Sequence, residues 1–223
     1  MRLYLSSHSY DTESLATFYG PRPKIGLIAN ALDFLSYVQR ASAVLSMSGA
    51  LHEIGAVTEI DLRRYFRRPE GLRETLDLVD ALWLPGGSRF LLVAALQYSG
   101  ATEPIASRVR DGAINYAGSS AGAVVASSNL LPATTCEDSK IVSQCYQKDP
   151  VFSGLGLLNS TVIPHFIEGP IDGVLPTYLM RDYCLVEGID FITIADGSAL
   201  VIEGDNVTEL VFPVQETAPA LAL

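Results

Sequence analysis

The sequence predicts an α/β fold with three layers, in which helices cover both faces of a mostly parallel sheet. Short apolar, β-rich runs alternate along the chain with longer stretches of helical spacing, which is the pattern of βα units. Near the C-terminus, short runs separated by turn sequences predict an antiparallel meander that closes the sheet. No linker, repeat or shift in composition divides the 223 residues. We therefore expect one domain over residues 1–213 and a frayed tail over residues 214–223.

Seven apolar runs have the length and composition of strands, at residues 3–6, 24–29, 56–60, 81–84, 113–117, 160–163 and 191–195. Two more runs follow the last of these, at residues 199–203 and 207–212. Asp196-Gly197 and Gly204-Asp205-Asn206 separate these three C-terminal runs, and both are common hairpin-turn sequences. The three runs therefore form the predicted meander.

The stretches between the strands carry helical periodicity and helix-end signals. Residues 33–54 form a predicted amphipathic helix, because apolar side chains recur there at steps of three and four residues. These side chains are Phe34, Val38, Ala41, Val44, Leu45 and Leu51. A second helix is predicted from Thr102 or Glu103, with Pro104 in its first turn and Gly112 just past its end.

The composition excludes several classes of protein. Hydrophobic residues make up 48% of the chain and charged residues 18%, which favours a folded, water-soluble domain over a disordered or fibrous chain. The net charge of −10 repels polyphosphates and anionic lipid headgroups, so we expect no nucleic-acid partner. The longest apolar stretches fall far short of the roughly 20 residues that a membrane helix needs, so we expect no membrane partner.

The N-terminal segment and the cysteines bear on location and cofactors. The N-terminal segment lacks the apolar core and cleavage site of a signal peptide, which predicts a cytoplasmic protein. Cys136, Cys145 and Cys184 are widely spaced and form no Cys/His grouping, so neither a disulfide framework nor a zinc site is predicted. We expect no metal and no organic cofactor. The sequence does not fix the oligomeric state, and a homodimer is one candidate.

One segment carries the features of a catalytic nucleophile. A predicted strand runs into Gly118-Ser119-Ser120-Ala121-Gly122, and a helical run of small residues follows. A G-x-S-x-G sequence between strand and helix is typical of a nucleophile elbow, in which a sharp turn lifts the serine hydroxyl above the sheet. Ser120 is therefore the candidate nucleophile. The alternatives are an unreactive turn, or Ser119, which lacks the glycine spacing.

A serine nucleophile needs a base within hydrogen-bond reach, and histidine is the usual one. His165 follows a predicted parallel strand, which places it at the same edge of the sheet as the elbow. His52 lies within the predicted long helix and suits a surface or packing role, while His8 ends the first strand and is kept in reserve. His165 is therefore the predicted base, with a structural role after the strand as its alternative.

An acidic side chain should orient the imidazole and stabilise its charged form. Asp196 follows the strand predicted at residues 191–195 and can point toward His165, although Asp-Gly is also an ordinary turn sequence. Glu137 and Asp138, in the loop after the elbow helix, are the alternative acids. The residues alone favour Asp196 and leave the choice open.

Acyl transfer also needs donors for the oxyanion. Gly86 and Gly87 come just after the strand predicted at residues 81–84, which leaves backbone N–H groups free to face a ligand. The N–H groups of Gly87 and Ala121 form the predicted oxyanion hole. The alternative for this segment is a tight turn in which Ser88 caps the next helix.

Three segments together resemble a known family. They are Leu-Pro-Gly-Gly at residues 84–87 with Phe90 just beyond, Gly-Ser-Ser-Ala-Gly-Ala at residues 118–123, and Pro-His-Phe at residues 164–166. Their order and separations resemble the peptidase E (α-aspartyl dipeptidase) family of serine peptidases, to which cyanophycinase is related. The resemblance covers most of the chain, from the first strand to about Phe212. It implies a fold like that of class I glutamine amidotransferases, with serine in place of their cysteine.

The resemblance also implies an activity and its residues, namely cleavage after an N-terminal aspartate in small peptides. Ser120 corresponds to the nucleophile, His165 to the base, and Gly87 and Ala121 to the oxyanion donors. The family's glutamate, in a Pro-Glu-Gly-Asn context, matches Asp196, which implies a Ser-His-Asp triad.

The chain departs from the family on the substrate side of the pocket. Ser88-Arg89 stands where the family usually has Asn-Thr after the double glycine, and the Thr-Thr-Asn-Asp region of the family matches residues 134–138 with one extra residue. The stretch between elbow and histidine is also longer than in the enterobacterial dipeptidases. The acyl chemistry therefore transfers more safely than the aspartyl specificity.

The sequence thus predicts a serine hydrolase that cleaves short peptides through a Ser-His-acid triad and an acyl-enzyme. We hypothesise that Arg89, at the start of a helix beside the oxyanion hole, supplies positive charge for an acidic substrate, the alternative being an exposed arginine without that role. Two other functions stay open. One is an esterase of the α/β-hydrolase kind, and the other is a non-catalytic amidotransferase-like module that binds a metabolite or partner.

Overall fold

The computed structural model describes residues 1–8, 10–171 and 175–212 of the chain. The tail predicted over residues 214–223 lies outside these residues. The strands are β1 (Arg2–Ser6), β2 (Lys24–Leu27), β3 (Ala56–Glu59), β4 (Ala81–Leu84), β5 (Asn115–Ser119), β6 (Thr161–Pro164), β7 (Phe191–Ile194), β8 (Ser198–Glu203) and β9 (Asn206–Val211). The α-helices are α1 (Thr12–Tyr19), α2 (Tyr37–Leu51), α3 (Leu72–Leu76), α4 (Arg89–Tyr98), α5 (Thr102–Arg110), α6 (Ala121–Val124), α7 (Ile141–Tyr146) and α8 (Tyr178–Glu187).

Seven of the strands form one mixed sheet in the order β3-β2-β4-β5-β1-β8-β9. The first five run parallel to their neighbours. β8 is antiparallel to β1, and β9 is antiparallel to β8. The α/β fold with a mostly parallel sheet is therefore confirmed.

Helices cover both faces of this sheet. Alternate residues of a strand point to opposite faces, so neighbouring residues of β1 show what packs on each one. Leu3 and Leu5 of β1 pack in one hydrophobic cluster, which includes residues of α4 and α5. Tyr4, between them in sequence, packs in a second cluster, which includes residues of α1 and α2. These two clusters on the two faces confirm the predicted three layers.

The long helix α2 is shorter than predicted, and its position is set by its cap. Ser36 accepts a hydrogen bond from the backbone N–H of Gln39, and the Gln39 side chain accepts one from the backbone N–H of Ser36. This capping box starts the helix at Tyr37 rather than at residue 33. Val38 and Leu45, which the periodicity assigned to the apolar face, are exposed.

The predicted C-terminal meander is wrong in one strand. β7 pairs in parallel with β6, in a separate two-stranded sheet. The reason lies in β8, whose two edges are already occupied by β1 and β9. Only β8 and β9 form the antiparallel hairpin, and Gly197, with φ of 81°, turns the chain from the small sheet into β8.

The second predicted helix agrees with the structure. α5 begins at Thr102 with Pro104 in its first turn, and Gly112, with φ of 74°, follows its C-terminal end. In the described part of the chain, no helix is long and apolar enough to cross a lipid bilayer.

Candidate active site

The candidate site lies where three parallel strands of the main sheet end. β1, β4 and β5 are neighbours in the sheet and run in the same direction, so their carboxyl ends meet at one edge. Ser7 follows β1, Gly86-Gly87 comes just after β4, and Ser120 follows β5. The topology therefore brings these segments together, although they are far apart in sequence.

Ser120 occupies the sharp turn between β5 and α6. Its backbone has φ of 48° and ψ of −110°, a conformation that non-glycine residues rarely adopt. The Ser120 N–H donates to the carbonyl of Ser6 at 3.0 Å, which ties the turn to the end of β1. This geometry is that of a nucleophile elbow.

The two flanking glycines are required by close backbone contacts. A Cβ atom on Gly118 would lie 2.5 Å from the carbonyl carbon and oxygen of Gly122. A Cβ atom on Gly122 would lie 1.9 Å from the carbonyl oxygen of Leu84. Any side chain at either position would push the elbow away from the sheet, which is the physical reason for the G-x-S-x-G spacing.

His165 reaches Ser120 from the small sheet. It directly follows β6, and its Nε2 lies 2.9 Å from Ser120 Oγ. We predicted that this strand belongs to the main sheet, and that prediction is wrong, because β6 lies in the separate two-stranded sheet. β6 is held beside α6 and the residues that follow it, since Val162 donates its N–H to Ser127 Oγ at 2.9 Å. The predicted nucleophile and base are in hydrogen-bond contact by a different route from the predicted one.

Asp196 contacts the other nitrogen of the same imidazole. β6 and β7 are parallel, so the residues beyond their carboxyl ends lie side by side. His165 Nδ1 is 2.7 Å from Asp196 Oδ1. A carboxylate can only accept, so Nδ1 carries the proton and Nε2 presents its lone pair to the Ser120 hydroxyl.

Asp196 is held in its ionised form. The hydrogen bond from His165 lowers the pKa of its carboxyl most, and partial burial opposes that effect. A hydrogen bond from Ser7 and electrostatic interactions with His165 and His8 lower it further, so that the pKa of Asp196 is about 2. The carboxylate is therefore charged at neutral pH and stabilises positive charge on His165.

Ser7 is a further polar side chain of this site that sequence reasoning missed. It is fully buried, and its hydroxyl donates to Asp196 Oδ1 at 2.6 Å. Ser7 Oγ in turn accepts a hydrogen bond from the backbone N–H of His165 at 2.7 Å. The available signal was its position directly after a strand that ends at the same edge of the sheet as the elbow.

The backbone of His165 is pinned on both sides. Its φ is 54°, a left-handed conformation that costs energy for a residue with a side chain. Ser7 accepts its N–H, and Thr177 Oγ1 donates to its carbonyl at 2.8 Å. These two bonds hold the imidazole toward Ser120.

Of the predicted oxyanion donors, Ala121 directly follows Ser120, and Gly87 follows Gly86, which contacts Ser120. Gly86 lies so close that a Cβ atom on it would be 3.2 Å from Ser120 Cβ. Gly87 has φ of 134°, and a Cβ atom there would lie 2.5 Å from the carbonyl oxygen of Ala31. Among the described residues, none accepts a hydrogen bond from the N–H of Gly87 or of Ala121. Both amides are thus available to a ligand.

Arg89 and Glu137 pair with each other away from His165. The Arg89 side chain is only 4% exposed, so the alternative of an exposed arginine is wrong. Its Nε lies 2.8 Å from Glu137 Oε2, and Ser88 donates its hydroxyl to the other carboxylate oxygen. Asp138 accepts the backbone N–H of Lys140 at 2.9 Å. Neither alternative acid contacts His165 in the described structure.

The two remaining histidines differ in their distance from the site. His52 caps the end of α2, is exposed, and its Nδ1 lies 2.7 Å from the carbonyl oxygen of Ser48. His8 lies next to His165, with ring centroids 5.8 Å apart. His8, His165 and Asp196 form a group whose ligand atoms all lie within 4.8 Å of one another.

Comparisons with known proteins show the family of this chain. The model of peptidase family S51 matches residues 9–210. A peptidase E of Streptomyces coelicolor is 30% identical over 162 residues, which are 71% of this chain and 61% of that protein. A peptidase E of Actinobacillus pleuropneumoniae is 28% identical over 142 residues, which are 62% of this chain and 57% of that protein. The matches span about three fifths of the length of these curated relatives.

Two solved structures share the fold. One is a crystal structure of a candidate peptidase E from Listeria monocytogenes, with a TM-score of 0.71, 22% identity, and coverage of 95% of this chain and 98% of that one. The other is a peptidase from an acI-B1 actinobacterium, with a TM-score of 0.65, 19% identity, and coverage of 94% and 87%. Because the family model matches most of the sequence, the chain belongs to peptidase family S51.

Proposed function

We propose that this chain is a serine peptidase that hydrolyses short peptides through an acyl-enzyme. One observation carries the proposal: two consecutive hydrogen bonds, of 2.9 Å and 2.7 Å, join Ser120 Oγ, the His165 imidazole and the Asp196 carboxylate. A nucleophile, a base and an orienting acid in that connectivity are what acyl transfer requires.

Acylation begins when Ser120 Oγ attacks the scissile carbonyl carbon while His165 Nε2 takes the hydroxyl proton. The carbonyl oxygen becomes an oxyanion, which the N–H groups of Gly87 and Ala121 stabilise. Asp196 stabilises the resulting imidazolium. His165 then donates the proton to the leaving amine, the C–N bond breaks, and the acyl group stays on Ser120 as an ester.

Deacylation repeats these steps with water. His165 removes a proton from a water molecule, whose oxygen attacks the ester carbonyl. The proton then passes to Ser120 Oγ as the C–O bond breaks, which releases the acid product and restores the hydroxyl. The whole cycle uses side chains and backbone N–H groups of this chain.

We further propose dipeptides with an N-terminal aspartate as the substrate class. The relatives named peptidase E and the resemblance to α-aspartyl dipeptidases support this assignment. Arg89 is ion-paired with Glu137 in the free protein. It would bind an acidic substrate by releasing Glu137 and pairing with the substrate carboxylate instead. If this exchange occurs, removing the Arg89–Glu137 ion pair should reduce the preference for an N-terminal aspartate.

The experiment is hydrolysis of Asp-Leu, Leu-Leu and a p-nitrophenyl ester by the purified chain. We expect Asp-Leu to be cleaved fastest, and Ser120→Ala to lower turnover by at least about 10⁴-fold. Ser119→Ala, with the neighbouring hydroxyl removed, is the matched control and should keep turnover. Substantial turnover in Ser120→Ala would refute the nucleophile, and turnover of the ester alone would favour an esterase.

The chain order of the proposed triad also bears on that rival. In enzymes of the α/β-hydrolase kind the triad residues occur along the chain in the order serine, acid, histidine, whereas Ser120, His165 and Asp196 occur in the order serine, histidine, acid.

A double variant tests whether Arg89 determines specificity. Replacing both Arg89 and Glu137 by glutamine removes the ion pair without leaving a buried charge unpaired. An unchanged ratio of Asp-Leu to Leu-Leu hydrolysis in that variant would remove Arg89 from substrate recognition.

A further inference from the structure

His8 is a titratable side chain beside the candidate triad that the proposed peptidase chemistry does not use. Its ring stands edge-on to that of His165, with centroids 5.8 Å apart and an interplanar angle of 73°. One ligand atom from each of His8, His165 and Asp196 can be chosen so that all three lie within 4.8 Å of one another. Both histidines are half-buried, whereas Asp196 is exposed, so solvent ions can reach the group.

Two imidazole nitrogens and a carboxylate oxygen are a favourable donor set for Zn²⁺. Zinc sites with an open position use three such protein ligands and a water molecule in tetrahedral geometry. Tetrahedral bonds of about 2.0 Å place ligand atoms roughly 3.3 Å apart. The three atoms in this chain would therefore have to close by no more than about 1.5 Å, which side-chain rotation can supply.

The surrounding charge favours a cation. The chain carries a net charge of −10, and Asp196 adds a carboxylate to the group itself. Both hydrogen bonds that Asp196 accepts from Ser7 and His165 end on Oδ1, and a carboxylate has a second oxygen that can bind a metal. Nitrogen ligands select zinc over Mg²⁺, which prefers oxygen ligands and octahedral geometry.

We propose that His8, His165 and Asp196 form an inhibitory Zn²⁺ site. The inhibition rests on the proposed function, because it depends on His165 acting as the base for Ser120. Zinc occupies the lone pair of the neutral His165 imidazole, so the imidazole no longer accepts the proton of the serine hydroxyl. Binding is reversible coordination, and its removal restores the triad.

His8 supplies the third protein ligand of the proposed zinc site. A histidine and an aspartate alone give two ligands, and a third ligand completes the protein's share of an open zinc site. His8 lies two residues beyond β1, and the intervening Ser7 is bonded to both His165 and Asp196. The anchored strand end thus fixes His8 beside the other two ligands.

The binding experiment uses the full chain carrying Ser120→Ala, so that zinc affinity is measured without catalysis. Isothermal titration calorimetry with ZnCl₂ should give one site per chain. Adding His8→Asn should raise the Kd by more than the roughly tenfold that loss of an outer-shell partner costs. His52→Asn, which changes an exposed histidine at the end of α2, is the matched control and should leave the Kd unchanged.

The activity experiment uses the parent chain and His8→Asn without the serine change. We expect micromolar-range titration of ZnCl₂ to abolish parent turnover, EDTA to restore it, and MgCl₂ to have no effect. Relative to its own turnover without zinc, His8→Asn should need at least about tenfold more zinc than the parent for half inhibition. Fluorophosphonate labelling of His8→Asn without zinc checks that the variant is folded.

Each outcome decides between named alternatives. Equal zinc affinity of the parent and His8→Asn would overturn the site, and a loss confined to Cys145→Ser would place zinc on that exposed thiol instead. If zinc binds in a His8-dependent manner but the chain cleaves no peptide, the metal site stands and the peptidase proposal fails. If peptides are cleaved and zinc has no effect, the inhibitory site fails alone.

Discussion

The two halves of the candidate site are built in different ways. The elbow that presents Ser120 is made by one continuous segment, in which Gly118 and Gly122 permit contacts that no side chain could enter. The arm that presents His165 and Asp196 comes from a separate two-stranded sheet, fastened by Ser7 at the end of β1. The position of the proposed nucleophile thus depends on local backbone sterics, and that of the proposed base depends on hydrogen bonds between distant segments.

This contrast explains how substitutions should act. A change in the elbow meets backbone atoms that cannot move without distorting the main sheet, so it should affect folding and activity together. A change in the arm removes a polar partner from a site at the surface, so it should affect activity more than stability. The predictions below test this division.

The largest effect is expected for Asp196→Asn. The amide removes the negative charge and can donate to Nδ1, which favours the tautomer that cannot accept the Ser120 proton. We expect kcat to fall by roughly 10⁴-fold, measured with the best dipeptide substrate. Asp138→Asn, at the exposed alternative acid, should retain parent kcat; a loss there and not at Asp196 would reverse the assignment.

The next largest effect is expected for Gly122→Ala, in the elbow. The new Cβ atom would lie 1.9 Å from the carbonyl oxygen of Leu84, so either β4 or the elbow must shift. We expect the free energy of unfolding in urea to fall by about 3 kcal/mol or more, with loss of turnover.

Gly49→Ala is the matched control for that substitution. Gly49 lies in α2, where a Cβ atom would meet nothing within 4 Å. Alanine there should raise the free energy of unfolding by about 0.4–1 kcal/mol. Equal stability of Gly122→Ala and the parent would contradict the steric account of the elbow.

A smaller effect is expected for Ser7→Ala, which loosens the arm. Loss of hydrogen bonds to a charged group costs about 1.5–3 kcal/mol, which corresponds to roughly a tenfold to hundredfold fall in kcat. KM should change little, because Ser7 positions His165 and Asp196 rather than contacting substrate. Ser6→Ala is the matched control, since the buried Ser6 hydroxyl has no hydrogen-bond partner among the described residues. A parallel loss in both variants would mean that the effect is packing alone.

The smallest effect is the contribution of Asp196 to stability as a function of pH. Its folded pKa of about 2 lies below the usual value of 3.8, so folding favours the charged form. The stabilisation is complete above pH 3.8 and is lost as the pH falls through about 2. Urea titrations should show that the stability difference between parent and Asp196→Asn is constant from pH 5 to pH 7 and shrinks below pH 4. A difference that grows at low pH would contradict the ionised contact.

The sequence predicts features that depend on neighbouring residues better than features that depend on pairing between distant segments. The α/β class and the elbow segment follow from local patterns, namely alternating strand and helix periods and the G-x-S-x-G spacing. The meander was wrong because the partner of β7 depends on which strands already flank β8. Ser7 carried no local signal, because its importance arises only when β1 ends beside His165 and Asp196.

Side-chain environments show the same limit. Arg89 was expected at the ligand or in solvent, and only the fold brings Glu137, 48 residues later, within 2.8 Å of it. The sequence could not decide which acid contacts His165 for a similar reason, since Asp-Gly occurs both in ordinary turns and at the ends of strands. The parallel pairing of β6 and β7 places Asp196 beside His165 and leaves Glu137 and Asp138 elsewhere.

The central claim is that His165 activates Ser120 for nucleophilic attack. The most direct measurement is labelling of the folded chain with a fluorophosphonate, followed by peptide mass spectrometry. We predict one adduct, on Ser120, that forms rapidly in the parent and is lost in His165→Ala. An adduct that forms at the same rate in His165→Ala, or no adduct on Ser120 in folded protein, would contradict the claim.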